Sequence, residues 1–400
     1  MKIQQVLLMI MISFTSKCQL INVNGIVLDN MGVGIPFVNI YTLDGGRSTI
    51  SNENGEFELR VEKISSKIEF SHINYLHKSM NIADLEANAK VMLEENIRIL
   101  PELKVEDYAL QLIRKAINKS NQDSIYNHFG RGFYRKISVK ENSYTALQEI
   151  FFDGCFNTKY GIGKWNPTAS RYIENKEKIE MKNSVYFALL NSIVDPSIHF
   201  KIDYTLLSIS DYNLHYIFTV ENIINPNTDQ EVAVISCSPR KSFSTSFDGR
   251  FYIKTSNGSL LRVSGIKKML VGGNNIFFQI KDSYLLIDVI YQEKNNSVVL
   301  SGMDISFHLN VSHASVVNKK IIEKMKLVMY EYESLNKNEQ TSLIPFYKTK
   351  EEQIFSTTQA SPEFWENNPI IKRTPLQDEV IKAFEKKGKK KGGNMFPTPK

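Results

Sequence analysis

The sequence predicts a mainly β protein in two parts, a small N-terminal sandwich followed by a larger antiparallel sheet domain. Three observations predict it. Between Val23 and Tyr75, apolar residues alternate with polar ones in short runs: Val23, Gly25 and Val27, then Phe37, Asn39 and Tyr41, then Phe57, Leu59 and Val61. The runs are separated by Asn-Met-Gly, Asp-Gly-Gly and Asn-Glu-Asn-Gly, residues suited to reversing a chain, so period two broken by turns reads as antiparallel strands. From Lys201 onward short alternating runs resume as a strand meander.

Leu20 to Leu28 is expected as the first strand, and Asp29 to Gly34 as its turn. Pro36 then opens Phe37 to Tyr41, a position where no ladder donor is lost. Ser48 to Ser51 precedes the reversal Asn52-Glu53-Asn54-Gly55, whose Asn-Gly tolerates positive φ. Phe57 to Val61, Lys67 to His72 and Lys90 to Leu93 bring the count to about seven strands, which suits one two-layer sandwich. Residues 95–106 read as a connector broken by Pro101. Asp107 to Lys119 places Ala109, Leu112, Ile113, Ala116 and Ile117 on one face of an amphipathic helix that packs across the next sheet.

Phe129 to Val139 and Tyr144 to Phe156 read as long strands, and Asn183 to Ile193 as a helix that Pro196 ends. The meander comprises Tyr204–Ile209, Leu214–Val220, Glu231–Ser236, Arg250–Lys254, Leu260–Ile266, Asn275–Lys281, Tyr284–Tyr291 and Ser301–Leu309, with turns at 210–213, 256–258 and 281–283. Lys319 to Glu333 reads equally as a helix or a final strand. Phe364-Trp365 is expected to dock back, because an exposed aromatic pair is unusual.

At 400 residues and 42% hydrophobic content the chain can bury sizeable cores, which excludes disorder as a whole. The formal charge of +6 sits at the ends: residues 382–400 carry +6 and residues 1–18 carry +2, leaving −2 for the body. No groove for a phosphate backbone is implied, so nucleic acid is not expected as a partner. Residues 1–18 have an early lysine and an apolar run from Val6 to Phe14, the length of a signal-peptide core and too short to span a bilayer. Ser16 and Cys18 fit a small-x-small cleavage pattern with Gln19 as mature start. The alternative is a lipidated Cys18, against which stands Lys17 directly before it. Either way the chain is expected to be exported, to the periplasm or outer membrane, with no transmembrane helix once processed.

The elements Gly25, Val27 and Asp29; Gly34, Pro36 and Ile40; Thr49, Ser51, Gly55 and Phe57; and Ile68, Phe70, Ser71, Ile73 and Tyr75 occur in one order over about 75 residues. As a set they resemble the carboxypeptidase-regulatory-like domain common in exported proteins of Bacteroidetes-type bacteria. The resemblance implies a transthyretin-like seven-stranded β-sandwich used as an accessory or docking module. It implies no peptidase activity, since none of the seven histidines (72, 77, 128, 199, 215, 308, 313) has the Glu spacing of a zinc peptidase. Leu100 to Val105 resembles the segment after this sandwich in outer-membrane receptors, but the continuation departs from a plug domain. Ala109 to Ile117 with Phe133 to Arg135 resembles an uncharacterised two-part family of such envelope proteins. Phe247 to Val263 is similar to hairpins of LolA/LolB-like lipoprotein carriers, which implies a curved half-barrel around a helix.

The organisation expected is therefore a signal peptide at 1–18, a sandwich at 19–94, a linker at 95–106, a sheet domain with one or two helices at 107–335, and an extension with a basic tail at 336–400. No candidate for chemistry stands out. His72 and His77 lack a third ligand and read as solvent-facing residues. Glu149 and Asp153 share a strand face, but a glycosidase pair needs a cleft and a fixed separation. Ser242, Ser244 and Ser246 lack a nucleophile elbow. Cys155 and Cys237 can pair or be two buried small hydrophobes, and neither has ligand spacing. No catalytic, cofactor or metal residues are assigned and no cofactor is expected. The function expected is a non-enzymatic envelope protein whose sandwich docks to a protein partner. A lipid- or acyl-chain carrier in the sheet domain is the alternative, and an envelope glycan or peptide hydrolase the third reading.

Overall fold

The computed structural model describes residues 20–43, 48–62, 67–85, 88–99, 106–141, 143–159, 161–174, 212–242, 246–268, 278–313, 316–345, 351–368 and 371–372, with Lys348 and Lys382. The signal segment, the helix expected at 183–193, the strand expected at 204–209 and the basic tail at 386–393 lie outside them. The protein is mainly β, and the chain forms two compact units.

The first unit comprises residues up to His72, His77–Glu94 and Pro369–Lys372. Its seven strands are β1 (Leu20–Leu28), β2 (Asn39–Thr42), β3 (Ser48–Ile50), β4 (Glu56–Glu62), β5 (Lys67–Ser71), β6 (Lys78–Asn81) and β7 (Ala89–Met92). They form a three-stranded sheet in the order β4-β1-β7 and a four-stranded sheet in the order β3-β2-β5-β6. The alternation on β4 does what it predicts: Phe57, Leu59 and Val61 are buried. The Phe57 ring meets Phe70 of the other sheet edge-on at 5.5 Å.

On β2 the expected face is wrong by one residue, since Val38, Ile40 and Thr42 point inward instead of Asn39 and Tyr41. Phe37 is the cause: it is buried with φ 61°, and one left-handed residue before a strand moves the whole alternation to the other face.

The second unit holds Ile73–Leu76 and Glu95–Asn368. Helix α1 (Glu106–Asp123) precedes the long strands β9 (His128–Lys140), β10 (Ser143–Asn157) and β11 (Gly161–Glu174). After α2 (Tyr212–His215) comes the meander β12 (Tyr216–Ile224), β13 (Val232–Pro239), β14 (Phe247–Lys254), β15 (Leu260–Lys268), β16 (Phe278–Lys294), β17 (Ser297–His313) and β18 (Val316–Tyr332). Beyond it lie α3 (Lys337–Ser342), β19 (Ile344–Pro345), α4 (Glu351–Thr357) and α5 (Pro362–Asn367).

With β8 (Ile97–Ile99) these strands make one open sheet of twelve, in the order β19-β11-β10-β9-β18-β17-β16-β15-β14-β13-β12-β8. Every pairing in it is antiparallel. The two meanders join where β18 lies beside β9.

Twelve strands spaced about 4.8 Å apart would extend some 50 Å if flat. Ala109, Leu112, Ile113 and Ala116 of α1 nonetheless share one apolar cluster with side chains from β9 through β18. Helix α1 itself packs against β12, β14 and β17, and the rest of the cluster is carried from strand to strand.

Several expectations are resolved or corrected. Of the two readings left open for Lys319 to Glu333 the strand holds, as part of β18, which ends at Tyr332. The expected turn at 281–283 is a bulge inside the continuous β16, with register jumping from Lys281↔Asn310 to Tyr284↔His308. The connector contains β8, which pairs with Asn222 to Ile224. Strand β11 gives little sequence signal because Pro167 interrupts it, and it is accommodated at a bulge where Phe151 pairs Ala169 and Phe152 pairs Pro167.

Candidate functional site

Helix α1 is fixed to one end of the sheet through the tips of two hairpins. Asn295 and Asn296, both at positive φ, make the two-residue turn between β16 and β17, and Gly258 at φ 81° ends the turn between β14 and β15. Lys115 Nζ donates to the carbonyls of Thr255 and Ser256 at 2.7 and 2.8 Å, and Lys119 Nζ donates to that of Asn296 at 2.6 Å. Asp123 accepts from the Val298 amide and pairs with Lys119. A cavity of about 20 Å³, the room of one water, remains between Ala116, Ser120, Leu260, Tyr291 and Val298.

The same face of the sheet carries charge. Lys136 pairs across with Met325, and Ser138 with Glu323; Lys136 shares strand parity with Tyr134 of the apolar cluster. Lys136 and Glu323 are fully buried, with Nζ 3.9 Å from Oε2. Ser138 Oγ donates to Glu323 Oε2 at 2.6 Å. Buried Lys267 lies further along this face, in register with Leu285, which pairs with Phe307, which pairs with Glu323.

The opposite face bears a row of charges set by register: Arg171, Glu149, Arg135, Lys326, Asp304 and Asp288 occupy successive strands. Glu149 is clamped from both sides, by Arg135 Nε at 2.6 Å and by Arg171, and all three are buried. Lys326 pairs with Asp304 at 3.2 Å and Arg262 with Asp288 at 2.6 Å. Helix α5 covers part of the row: the Trp365 ring lies 4.6 Å from the Arg171 guanidinium and 5.5 Å from Phe151, and Phe364 lies 5.3 Å from Phe151. The expected return of the aromatic pair is therefore made onto this face.

Glu149 and Asp153 do share a face, as the strand parity predicts, with Phe151 between them. Four residues of strand separate their backbones by about 13 Å, and separate arginines engage the two carboxylates. Asp153 is engaged by Arg131 at 3.6 Å, which also meets Glu331 and Glu339. Burial pushes the Asp153 carboxyl up; Arg131 opposes this, and Glu339 and Glu331 add to it.

His72 is buried, a correction to the solvent-facing expectation, while His77 is exposed with its ring 3.0 Å from Ser71 Oγ. Cys155 and Cys237 are both free and buried; burial pushes the Cys155 thiol up to about 11 and that of Cys237 still higher. Ser242 lies 2.5 Å from Lys268 Nζ, Ser246 is buried, and Ser244 falls outside the described residues.

Among the described residues no three His, Cys, Asp or Glu side chains gather as a metal site, and no helix is long and apolar enough to cross a membrane.

In the first unit, Asp29 and Ser51 of the sandwich signature, and Asn52 beside them, serve turns. Asp29 Oδ1 accepts from the amides of Met31 and Val33. Ser51 Oγ accepts from Val38 N and donates to Ile35 O. Asn52 Oδ1 accepts from the amides of Asn54 and Glu56. Gly34 and Gly55 pack on one another so closely that a Cβ on Gly55 would stand 2.8 Å from the Gly34 Cα, with φ 79° excluding other residues besides. Sequence reasoning read these as motif letters; backbone bonds from Val27 N to Gly55 O and from Ile35 N to Val27 O tie the turns together.

No family model matches the chain, and no curated protein does. Among solved structures, the complex of Pseudomonas aeruginosa MucA/MucB is similar at 8% identity and a TM-score of 0.20, over 55% of this chain and 93% of that one. A putative outer membrane lipoprotein-sorting protein domain from Vibrio parahaemolyticus is similar at 10% identity and a TM-score of 0.22, over 62% of this chain and 97% of that one. A structure of MucB alone is similar at 8% identity and a TM-score of 0.20, over 60% and 98%. Scores at this level carry no weight for fold or function.

Proposed function

We propose that the chain is a non-enzymatic envelope protein, exported by residues 1–18, whose sandwich at 19–94 is a docking module of the carboxypeptidase-regulatory-like kind. Residues 95–106, which carry the edge strand β8, link it to the sheet domain at 107–335, the body that it positions, and 336–400 form a C-terminal extension that adds β19 to the same sheet. The observation that supports this reading is how the polar residues here are used: Asp29 and Ser51 of the signature, and Asn52 beside them, are committed to holding backbone turns. What such a scaffold offers a partner is its sheet edges and loops. Deleting residues 19–94 from the exported protein is expected to abolish co-purification of envelope partners and shift the remainder to the soluble fraction. Unchanged pull-down and fractionation would remove the docking role.

A second reading, an amphipathic ligand such as a lipid or acyl chain held by the sheet domain, is favoured by one observation. Lys136, Glu323 and Lys267 are buried on the apolar, helix-bearing face, where burying charge is costly and packing alone does not call for it. Native mass spectrometry of gently purified protein tests it: co-purified lipid that is lost in Lys136→Met supports the reading, and a ligand-free spectrum retires it.

A further inference from the structure

Strand β3 is the outermost strand of the four-stranded sheet of the first unit, paired on one side with β2 through Asn39↔Ile50, Ile40↔Thr49 and Tyr41↔Ser48. Its other edge is not left open. Ile371, from beyond α5, forms a parallel bridge with Ile50, and its side chain is 2% exposed. The Asn52 side chain, already holding its own turn through Oδ1, turns its Nδ2 outward to the Lys372 carbonyl at 3.3 Å and to Glu56 Oε2 at 2.9 Å. Backbone pairing, a buried aliphatic anchor and an amide reading the next carbonyl are together how an extended peptide is recognised by strand addition. The edge is three residues long and runs into a turn bearing Glu53, with Glu56 opening β4, and the segment that occupies it reads Ile371-Lys372-Arg373 in sequence.

We infer that the β3 edge is a peptide-docking site carrying a tethered internal occupant, and that its partner is an extended segment of the type aliphatic-aliphatic-basic-basic, entering parallel to β3 with its second aliphatic residue in the Ile371 seat. The inference rests on the docking reading and gives it a location and a ligand chemistry. A tethered occupant acts at a high effective concentration, so a free peptide meets the site only when the internal segment is weakened.

The test uses the full chain and a fluorescent peptide of the sequence 368–374, NPIIKRT. Wild-type protein is expected to bind it at least about tenfold more weakly than Ile371→Asp, whose own segment no longer fits the seat. A peptide bearing the same Ile-to-Asp change is expected to bind neither. Hydrogen exchange supplies a readout that does not depend on affinity: amides of residues 48–52 should exchange faster in Ile371→Asp and regain protection when peptide is added. Ile371→Asp that melts as a folded protein yet gains no binding and no peptide-dependent protection overturns the inference. So does a peptide that protects some other strand, or a wild-type protein in which the segment exchanges between copies so that only the dimer binds.

The two readings fail separately. Loss of partners on deleting 19–94, with no peptide binding, would leave docking standing and the β3 site gone. Peptide binding with undisturbed pull-down would do the reverse.

Discussion

At the scale of single residues, charges in this protein act mainly as structure. Glu149 lies between two buried arginines, and removing it leaves both without their shared carboxylate. Glu149→Ala is therefore expected to cost about 3–5 kcal/mol, read as a lowered midpoint in chemical denaturation. Glu293 shows the same habit nearer the solvent. Burial raises its pKa, but hydrogen bonds from Lys254, Asn257 and Ser259 and the Lys254 charge outweigh this and hold it below the ordinary carboxylate value. A carboxylate depressed in the folded state contributes stability above its unfolded pKa and loses it as pH falls through the folded one. Glu293→Gln should thus melt below wild type at neutral pH and converge with it in acid, below the usual carboxylate range; parallel melting curves at both pH values would contradict this.

At the scale of elements, strand signals were legible where one face is wet and misleading where local geometry intervenes. The alternation on β4 was readable because Glu58 and Arg60 stay partly exposed while Phe57, Leu59 and Val61 go inside. On β2 it failed because a left-handed φ at Phe37 cannot be seen in residue types. A proline inside β11 and a bulge inside β16 similarly imitated a break and a turn. Nothing in the sequence reveals that Ser170 N and O are satisfied by Thr358 and Ala360, which cover the β11 edge, or that Trp365 lies over Arg171. Trp365→Ala removes that cover and is expected to cost roughly 3 kcal/mol or more, with faster hydrogen exchange along β11 as the check.

At the scale of the whole molecule, two compact units with separate apolar cores replace any single core. Val27, Ile40, Phe57 and Phe70 serve one, and the cluster around α1 serves the other. Calorimetry is accordingly expected to give two unfolding transitions, and Phe57→Ala should lower only the one that belongs to the first unit. One superimposable transition, shifted as a whole by Phe57→Ala, would show that the cores do not melt separately.

The sequence by itself determined that the protein is mainly β, that a seven-stranded sandwich comes first, and that an amphipathic helix faces a large sheet, because hydrophobic period and turn chemistry are local properties. It also suggested the candidate chemistry was thin, because no motif set a nucleophile, base or ligand group in sequence. Only the tertiary structure decided how the carboxylates are engaged and where the described residues between 337 and 372 go. Glu149 meets Arg171 across 22 residues of chain, and Asn52 meets the Lys372 carbonyl across 320. Contacts at such separations are fixed by sheet register and by what each face must cover, and no window of sequence contains both partners.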